Sequence, residues 1–144
     1  LIDDLFETKS ACSGAGIAAP QIGEPWRVFV LGSGHNPRDP EAPPLPERVV
    51  INPVFTAIGE ESTTFWEGCL SVPGMRGEVK RSKYIHLQYQ DQEGFFHQEE
   101  LEGFHARAIQ HEGDHLDGVF FTDRLTSTVA FGFIDELQAH GLIP

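Results

Sequence analysis

The run Gln110-His111-Glu112-Gly113-Asp114-His115 places two imidazoles four residues apart with a carboxylate directly after the first. On a helix, His111 and His115 stand one turn apart, so both rings reach a single ion. Glu112 then projects beside them, towards a water that the ion polarises. A divalent ion lowers the pKa of such a water towards ~7, and a neighbouring carboxylate can take its proton. The same spacing also arises by chance, and two surface histidines are the plain alternative. Gly113 argues against that alternative, because a glycine inside a helix costs ~1 kcal/mol relative to alanine.

Catalytic metal sites ordinarily combine three protein ligands with one open position. The metalloprotease arrangement adds a downstream His or Glu, and after His115 these are Glu136 and His140, both on an acidic segment near the chain end. Upstream, Cys69 sits in Glu67-Gly68-Cys69-Leu70-Ser71, between small or turn-forming neighbours in a loop expected to join β segments. The thiol is the better third ligand, with an ordinary buried cysteine as its alternative. Cys12 and Cys69 are the only cysteines, too few for a disulfide framework.

The elements that must hold these groups follow from hydrophobic period. Phe104, Ala108, His111 and His115 recur on one helical face, which predicts a helix from Gly103 to about Leu116, stopped at Gly118. Ile2, Leu5 and Phe6 give a short helix over residues 1–9. Residues 26–31 and 48–51 read as buried strands, and 53–58 continues the β pattern. Gly32 to Pro46 is a proline-rich surface loop. Tyr84–Tyr89 turns Ile85, Leu87 and Tyr89 to one face, and a turn at Asp91–Gly94 leads into Phe95–Leu101 as a hairpin. Val129 to Ala139 reads as a final helix with Phe133, Ile134 and Leu137 inward. The glycine- and alanine-rich stretch Gly14–Gly23 reads as extended backbone left bare for close approach. Strands followed by one central helix give an α+β domain. It comprises mostly antiparallel sheets around a metal-binding helix, with a short C-terminal helix.

Composition bounds the function. The 144 residues suit one domain spanning 1–144. Ten Lys and Arg against 22 Asp and Glu leave a net charge of −12, which repels phosphate backbones and disfavours nucleic acid as a partner. No apolar run approaches the ~20 residues of a membrane span, and no secretory signal is visible. His35, His86, His97 and His140 read as solvated, and His105 points away from the metal face. Cys12 reads as a free thiol near the cleft mouth.

Three segments, Gly14-Ala15-Gly16-Ile17-Ala18-Ala19-Pro20-Gln21, Glu67-Gly68-Cys69-Leu70-Ser71 and Gln110-His111-Glu112-Gly113-Asp114-His115-Leu116, resemble the signature motifs of peptide deformylases, in the same order. The likeness extends roughly from Leu1 to Leu125, and Val72-Pro73-Gly74 is similar to the bacterial and organellar branch. The resemblance implies a hydrolase that removes the N-formyl group from formylmethionine at the start of nascent polypeptides and releases formate. It implies Cys69, His111 and His115 as ligands of one divalent ion. Fe2+ is expected in the cell, and Zn2+, Ni2+ or Co2+ are able to occupy the site. It further implies Glu112 as general base and then acid, and Gln21 with the backbone N–H of Leu70 as donors to the oxyanion. Glu67 would stand behind the ligands. The peptide would pair with backbone around Gly14, Ala15, Gly16 and Ile17, as an added strand. Phe104, Ala108 and Phe65 would line the methionine pocket, with ordinary core packing as the alternative.

Two departures from the family pattern shape the expectations. Only thirteen residues precede Gly14, where the family has a longer segment, so the amino-terminal part is read as truncated or unusually brief. Residues 129–144 contain no Lys or Arg and include Asp135 and Glu136. A basic helix docking on the ribosome is therefore not expected, although capture of formylated nascent peptides near the ribosome remains compatible. A monomer in the cytoplasm, or in an organelle after loss of a leader, is the expected state. The competing readings are a metallopeptidase, which needs a downstream third ligand and no Cys69, and a non-catalytic peptide-binding relative, which needs Glu112 or Gln21 lost. A structural metal domain would need a fourth Cys or His.

Overall fold

Residues 1–34 and 43–144 are described by the structure, a computed structural model. His35 and most of the proline-rich loop lie outside the described residues.

The chain runs α1 (Ile2–Ala11), β1 (Gly16–Ala18), a 3-10 turn (Ala19–Ile22), β2 (Val28–Ser33) and β3 (Leu45–Ala57). It continues through β4 (Ser62–Cys69), β5 (Val72–Ser82), β6 (Tyr84–Gln90), β7 (Phe96–Glu102) and α2 (Gly103–Leu116). A second 3-10 turn (Phe121–Arg124), β8 (Phe131–Phe133) and α3 (Ile134–Ala139) close it. One antiparallel sheet has the order β1-β2-β3-β6-β7, and a second has β4-β5-β8. The α+β architecture is the one anticipated.

Strand β2 explains why its sequence lacks alternation. Val28 and Val30 join Leu5, Ile17 and Ala19 under α1, whereas Phe29 and Leu31 join Ala106 and Ile109 of α2 on the other face. Because both faces are covered, every residue from Val28 to Leu31 is buried and apolar. β6 is covered on one face only, so Ile85 and Leu87 are buried while Gln88 is exposed.

Helix α2 spans Gly103–Leu116, as its period predicts, and is buried along most of its second half. It ends through Gly118, whose φ of +73° accompanies bonds from the Gly118 and Val119 N–H groups back to His115 and Asp114 carbonyls. Gly113 has a packing reason: a Cβ there would collide with the ring of Phe55. Gly113→Ala is therefore expected to destabilise by about 1–2 kcal/mol, since overpacking outweighs the gain in helix propensity. A urea midpoint equal to or above that of the parent would contradict this packing account.

Three expectations differ from the structure. Pro20 and Gln21 lie in a 3-10 turn rather than in extended chain, with proline suited to the first turn. Cys69 ends strand β4 instead of sitting in a loop, and the long β4–β5 hairpin around it has little alternating signal. The predicted helix from Val129 begins only at Ile134, because residues 131–133 pair with Met75–Gly77 of β5. Phe133 is consequently exposed, whereas Leu137 is buried as anticipated.

Candidate active site

Helix α2 presents His111 and His115 to the end of β4, where Cys69 arrives. The Cys69 Sγ lies 3.4 Å from His115 Nε2, and one donor atom from each of the three residues falls within 4.8 Å of the others. A tetrahedral ion with ~2.3 Å bonds to sulfur and ~2.1 Å bonds to nitrogen needs S···N separations of roughly 3.6 Å. The Cys69–His115 pair already has that spacing, and all three donors are close enough to converge on one ion.

The second nitrogen of each imidazole is already engaged. His111 Nδ1 bonds Glu67 Oε1 at 2.8 Å, and His115 Nδ1 donates to the Val119 carbonyl at 3.2 Å. These bonds fix ring orientation and leave Nε2 of each ring for a ligand role. Burial by itself raises the Cys69 thiol pKa, but hydrogen bonds with His111 and His115 outweigh it and hold it at about 5. At neutral pH the sulfur is a thiolate, the form that ligates metals. His111 shifts the opposite way: burial disfavours its charge, yet bonds to Cys69 and Glu67 raise its pKa. An ion entering the cluster would take the place of that proton.

Glu67 is anchored from behind. Arg81 Nε and Nη2 bond its two oxygens at 2.6 and 2.9 Å, and Arg81 Nη1 reaches Asp114 at 2.9 Å. Arg124 donates twice more to Asp114. Burial opposes Glu67's charge, but the bonds from His111 and Arg81 hold its carboxyl at about 2. Arg81 and Asp114 were not singled out by sequence reasoning. The available signal was a second acid between the histidines. Arg81→Met is expected to cost ~3–5 kcal/mol, because it strands buried carboxylates. Urea unfolding within ~1 kcal/mol of the parent would show that the network contributes little.

Glu112 is buried, and its Oε2 has no hydrogen-bond partner among the described residues. Burial pushes its carboxyl pKa up, and the neighbouring histidines only partly offset this. Its Oε1 would lie 3.0 Å from a Cβ at Gly16, so a side chain there would crowd the carboxylate. Gly14 similarly leaves room for the Leu70 side chain. Gln21 Oε1 accepts from the Ala18 N–H at 2.8 Å, which turns the Nε2 donor towards Ser71 Oγ at 3.0 Å and Cys69 Sγ at 3.6 Å.

A cleft of about 690 Å³ joins these groups. Gly14, Ala15, Gly16, Gln21, Leu70 and Glu67 line it, as do Phe65, Phe104, Ala108, His111 and Glu112. Ile17 does not: its side chain packs under α1, and only its backbone belongs to the strand edging the cleft. Trp66, Leu31 and Arg107 also line the wall, and none of them was anticipated. The Arg107 guanidinium lies 4.0 Å from the centroid of the Phe65 ring. Among the described residues, Glu136 and His140 are paired on the exposed face of α3 and take no part in the cluster. The downstream third ligand that a metallopeptidase requires is therefore missing from the site. His140 is solvated, and His97 stacks on Tyr89 at the β6–β7 hairpin. No described helix is long and apolar enough to cross a membrane.

Comparison with known proteins agrees with this geometry. The sequence model of the family described as polypeptide deformylase matches residues 1–130. A peptide deformylase 1 from Prochlorococcus marinus is 55% identical over 144 residues, covering 99% of this chain and 75% of that protein. A peptide deformylase from Leptospira biflexa is 44% identical over 142 residues, covering 98% and 79%. Among solved structures, a class I type b peptide deformylase from Acinetobacter baumannii, with Met-Ala-Ser bound, superposes with a TM-score of 0.82. It has 39% identity and covers 86% of this chain and 78% of its own. The Thermotoga maritima enzyme gives 0.76 at 41% identity, covering 88% and 79%.

Proposed function

We propose, since this chain belongs to the polypeptide deformylase family, that Cys69, His111 and His115 hold one divalent ion at which a formyl group is hydrolysed from a peptide amino terminus. One observation carries the reading. The thiolate of Cys69, the His111 imidazole, the buried Glu112 carboxylate and the oriented Gln21 amide line one cleft, and His115 completes the donor cluster behind them. Fe2+ is the ion expected in the cell, and Zn2+, Ni2+ or Co2+ suit the same mixed sulfur and nitrogen set.

When bound, the ion supplies Lewis acidity that makes water a nucleophile near neutral pH. The chain's own groups do the rest. Glu112, kept proton-hungry by burial, takes a proton from the attacking water and delivers it to the departing amine. Gln21 Nε2 and the Leu70 N–H donate to the carbonyl oxygen as it gains charge, each worth ~3–4 kcal/mol. The C–N bond breaks, formate leaves, and the free amino terminus accepts the second proton. Glu67, held by Arg81, keeps His111 from rotating.

Substrates are formylated nascent peptides. In the sheet, the Gly32 N–H bonds the Ala15 carbonyl at 2.9 Å, so strand alternation turns the N–H and C=O of Gly16 to the open edge of β1. A peptide backbone pairs there as an added strand. Phe65, Phe104 and Ala108 receive the methionine side chain, and Leu70 and Ala15 close that part of the cleft. The small Ala15 side chain leaves the pocket floor roomy. Formyl-Phe and formyl-Trp peptides are therefore expected within ~10-fold of formyl-Met in kcat/KM, since a modest size difference in an apolar pocket discriminates weakly. Strict methionine preference in a side-by-side kcat/KM comparison would refute that reading of Ala15. The monomeric state, the cytoplasm as compartment and capture of peptides near the ribosome belong to the same proposal.

The deciding experiment is metal analysis of anaerobically purified protein, coupled to formate release from a formyl-Met peptide. One equivalent of ion with stoichiometric formate is expected. Metal-free protein that stays inactive after reloading with Fe2+ or Ni2+ would overturn the proposal.

A further inference from the structure

Lysine 9 is buried in the last turn of α1, against the sheet. Among the described residues its ammonium has a single partner, the Gly32 carbonyl oxygen, at 2.7 Å. No carboxylate of the described residues is ion-paired with it. A buried cation held by one carbonyl is costly, and a methionine or leucine would fill the same volume without that cost. The surrounding hydrogen bonds show what the ammonium accomplishes. The Lys9 carbonyl accepts from the Gly14 N–H at 2.9 Å, and the Gly32 N–H donates to the Ala15 carbonyl at 2.9 Å. Lys9 Nζ to Gly32 closes the circuit. Lys9 thus holds Gly14 directly through its backbone carbonyl, and through its side chain holds Gly32, the β2 residue whose N–H bonds Ala15.

That segment is unusually dependent on such a grip. β1 is three residues long, lies at the sheet edge, and is preceded by Ser13 at a φ of +55° and by Gly14. Edge strands this short fray readily, having a ladder on one side only. The edge also runs beside the site, since Gly16 stands against the Glu112 carboxylate.

We infer that Lys9 is a positioning residue for substrate: its ammonium locks the Gly14–Gly16 edge in the register that receives the peptide backbone. This rests on the proposed peptide-hydrolysing function and adds a determinant that no motif contains. Lys9 touches neither substrate nor ion. Its effect is carried by backbone pairing, so it grows with the length of peptide laid along the edge. The formyl end is held separately by Gln21 and Leu70, so the bond-breaking step is little affected.

The test uses Lys9→Met in the full chain, assayed with formyl-Met-Ala-Ser and with formyl-methionine amide. For the longer peptide KM should rise roughly tenfold, the scale of one or two backbone hydrogen bonds, while kcat stays within about twofold. For the amide, which has no second residue to pair, the KM penalty should fall below about twofold. Lys9→Gln, too short to reach Gly32, should show the same split if the methionine variant folds poorly. An unchanged KM for the longer peptide, or equal penalties for both substrates, would overturn the inference. Amide hydrogen exchange gives a readout free of activity: the Gly32 and Gly14 N–H groups should exchange roughly tenfold faster in the variant. Unaltered exchange would refute the clamp. Should the parent protein release formate from neither substrate, the proposed function fails, and exchange alone decides the clamp.

Discussion

Cys69→Ala is expected to release the ion and abolish formate production. The side chain ends β4 within 3.4 Å of His115 Nε2, and its pKa of about 5 makes it the anionic member of the donor set. Removing it leaves only two imidazoles, and two ligands do not make a stable catalytic site. Loss of a mere hydrogen-bond partner behind a ligand already weakens metal affinity ~10–100-fold, so loss of the charged ligand itself should exceed that range. Cys69→Asp restores an anion with a harder donor and should recover metal binding better than activity. Metal content measured after gel filtration is the check. Full metal in the alanine variant would revive a ligand set without the thiol and end the present reading. The fold should persist, because Cys69 belongs to a small cluster with Val79 and Phe121 rather than to the main core.

Glu112→Ala should give the contrasting result: ion retained, turnover lost by ~10²-fold or more. Glu112 is not among the three clustered ligands, and its Oε2 lacks a partner among the described residues. Burial raises its pKa, which suits a group that must accept a proton and then give it away. The loss should fall on kcat, since the carboxylate acts in the transition state and contributes little to holding the peptide. Glu112→Gln separates the proton role from packing, because it preserves shape while removing the base. If either variant retained more than a tenth of parental kcat, another group would have to carry the proton. Taken together, the two variants distinguish a ligand from a base: one should lose metal and activity together, the other activity alone.

Much of this site was legible in the chain. The helical repeat of Phe104, Ala108, His111 and His115 set the limits of α2 and the shared face of its histidines, because contacts within a helix depend only on local spacing. The order of the three motifs pointed to the family, and continuous apolar character marked β2 as covered on both faces. Other features needed the folded chain. Nothing local tells that Cys69 meets His115 across 46 positions, since sheet register and helix packing set that distance. The Glu67–Arg81–Asp114 network joins β4, β5 and α2 and exists only once all three are docked. The motif glycines suggested bare backbone, but only tertiary packing shows Gly16 making room for Glu112 and Gly113 for Phe55. At the chain end, a helical pattern from Val129 yielded to strand pairing at 131–133, because a free edge of β5 offered hydrogen bonds that local propensity did not outweigh. Local periodicity therefore determined which side chains share a face. Long-range docking decided which faces meet, and with them the cleft, the buried arginine and the clamp at Lys9.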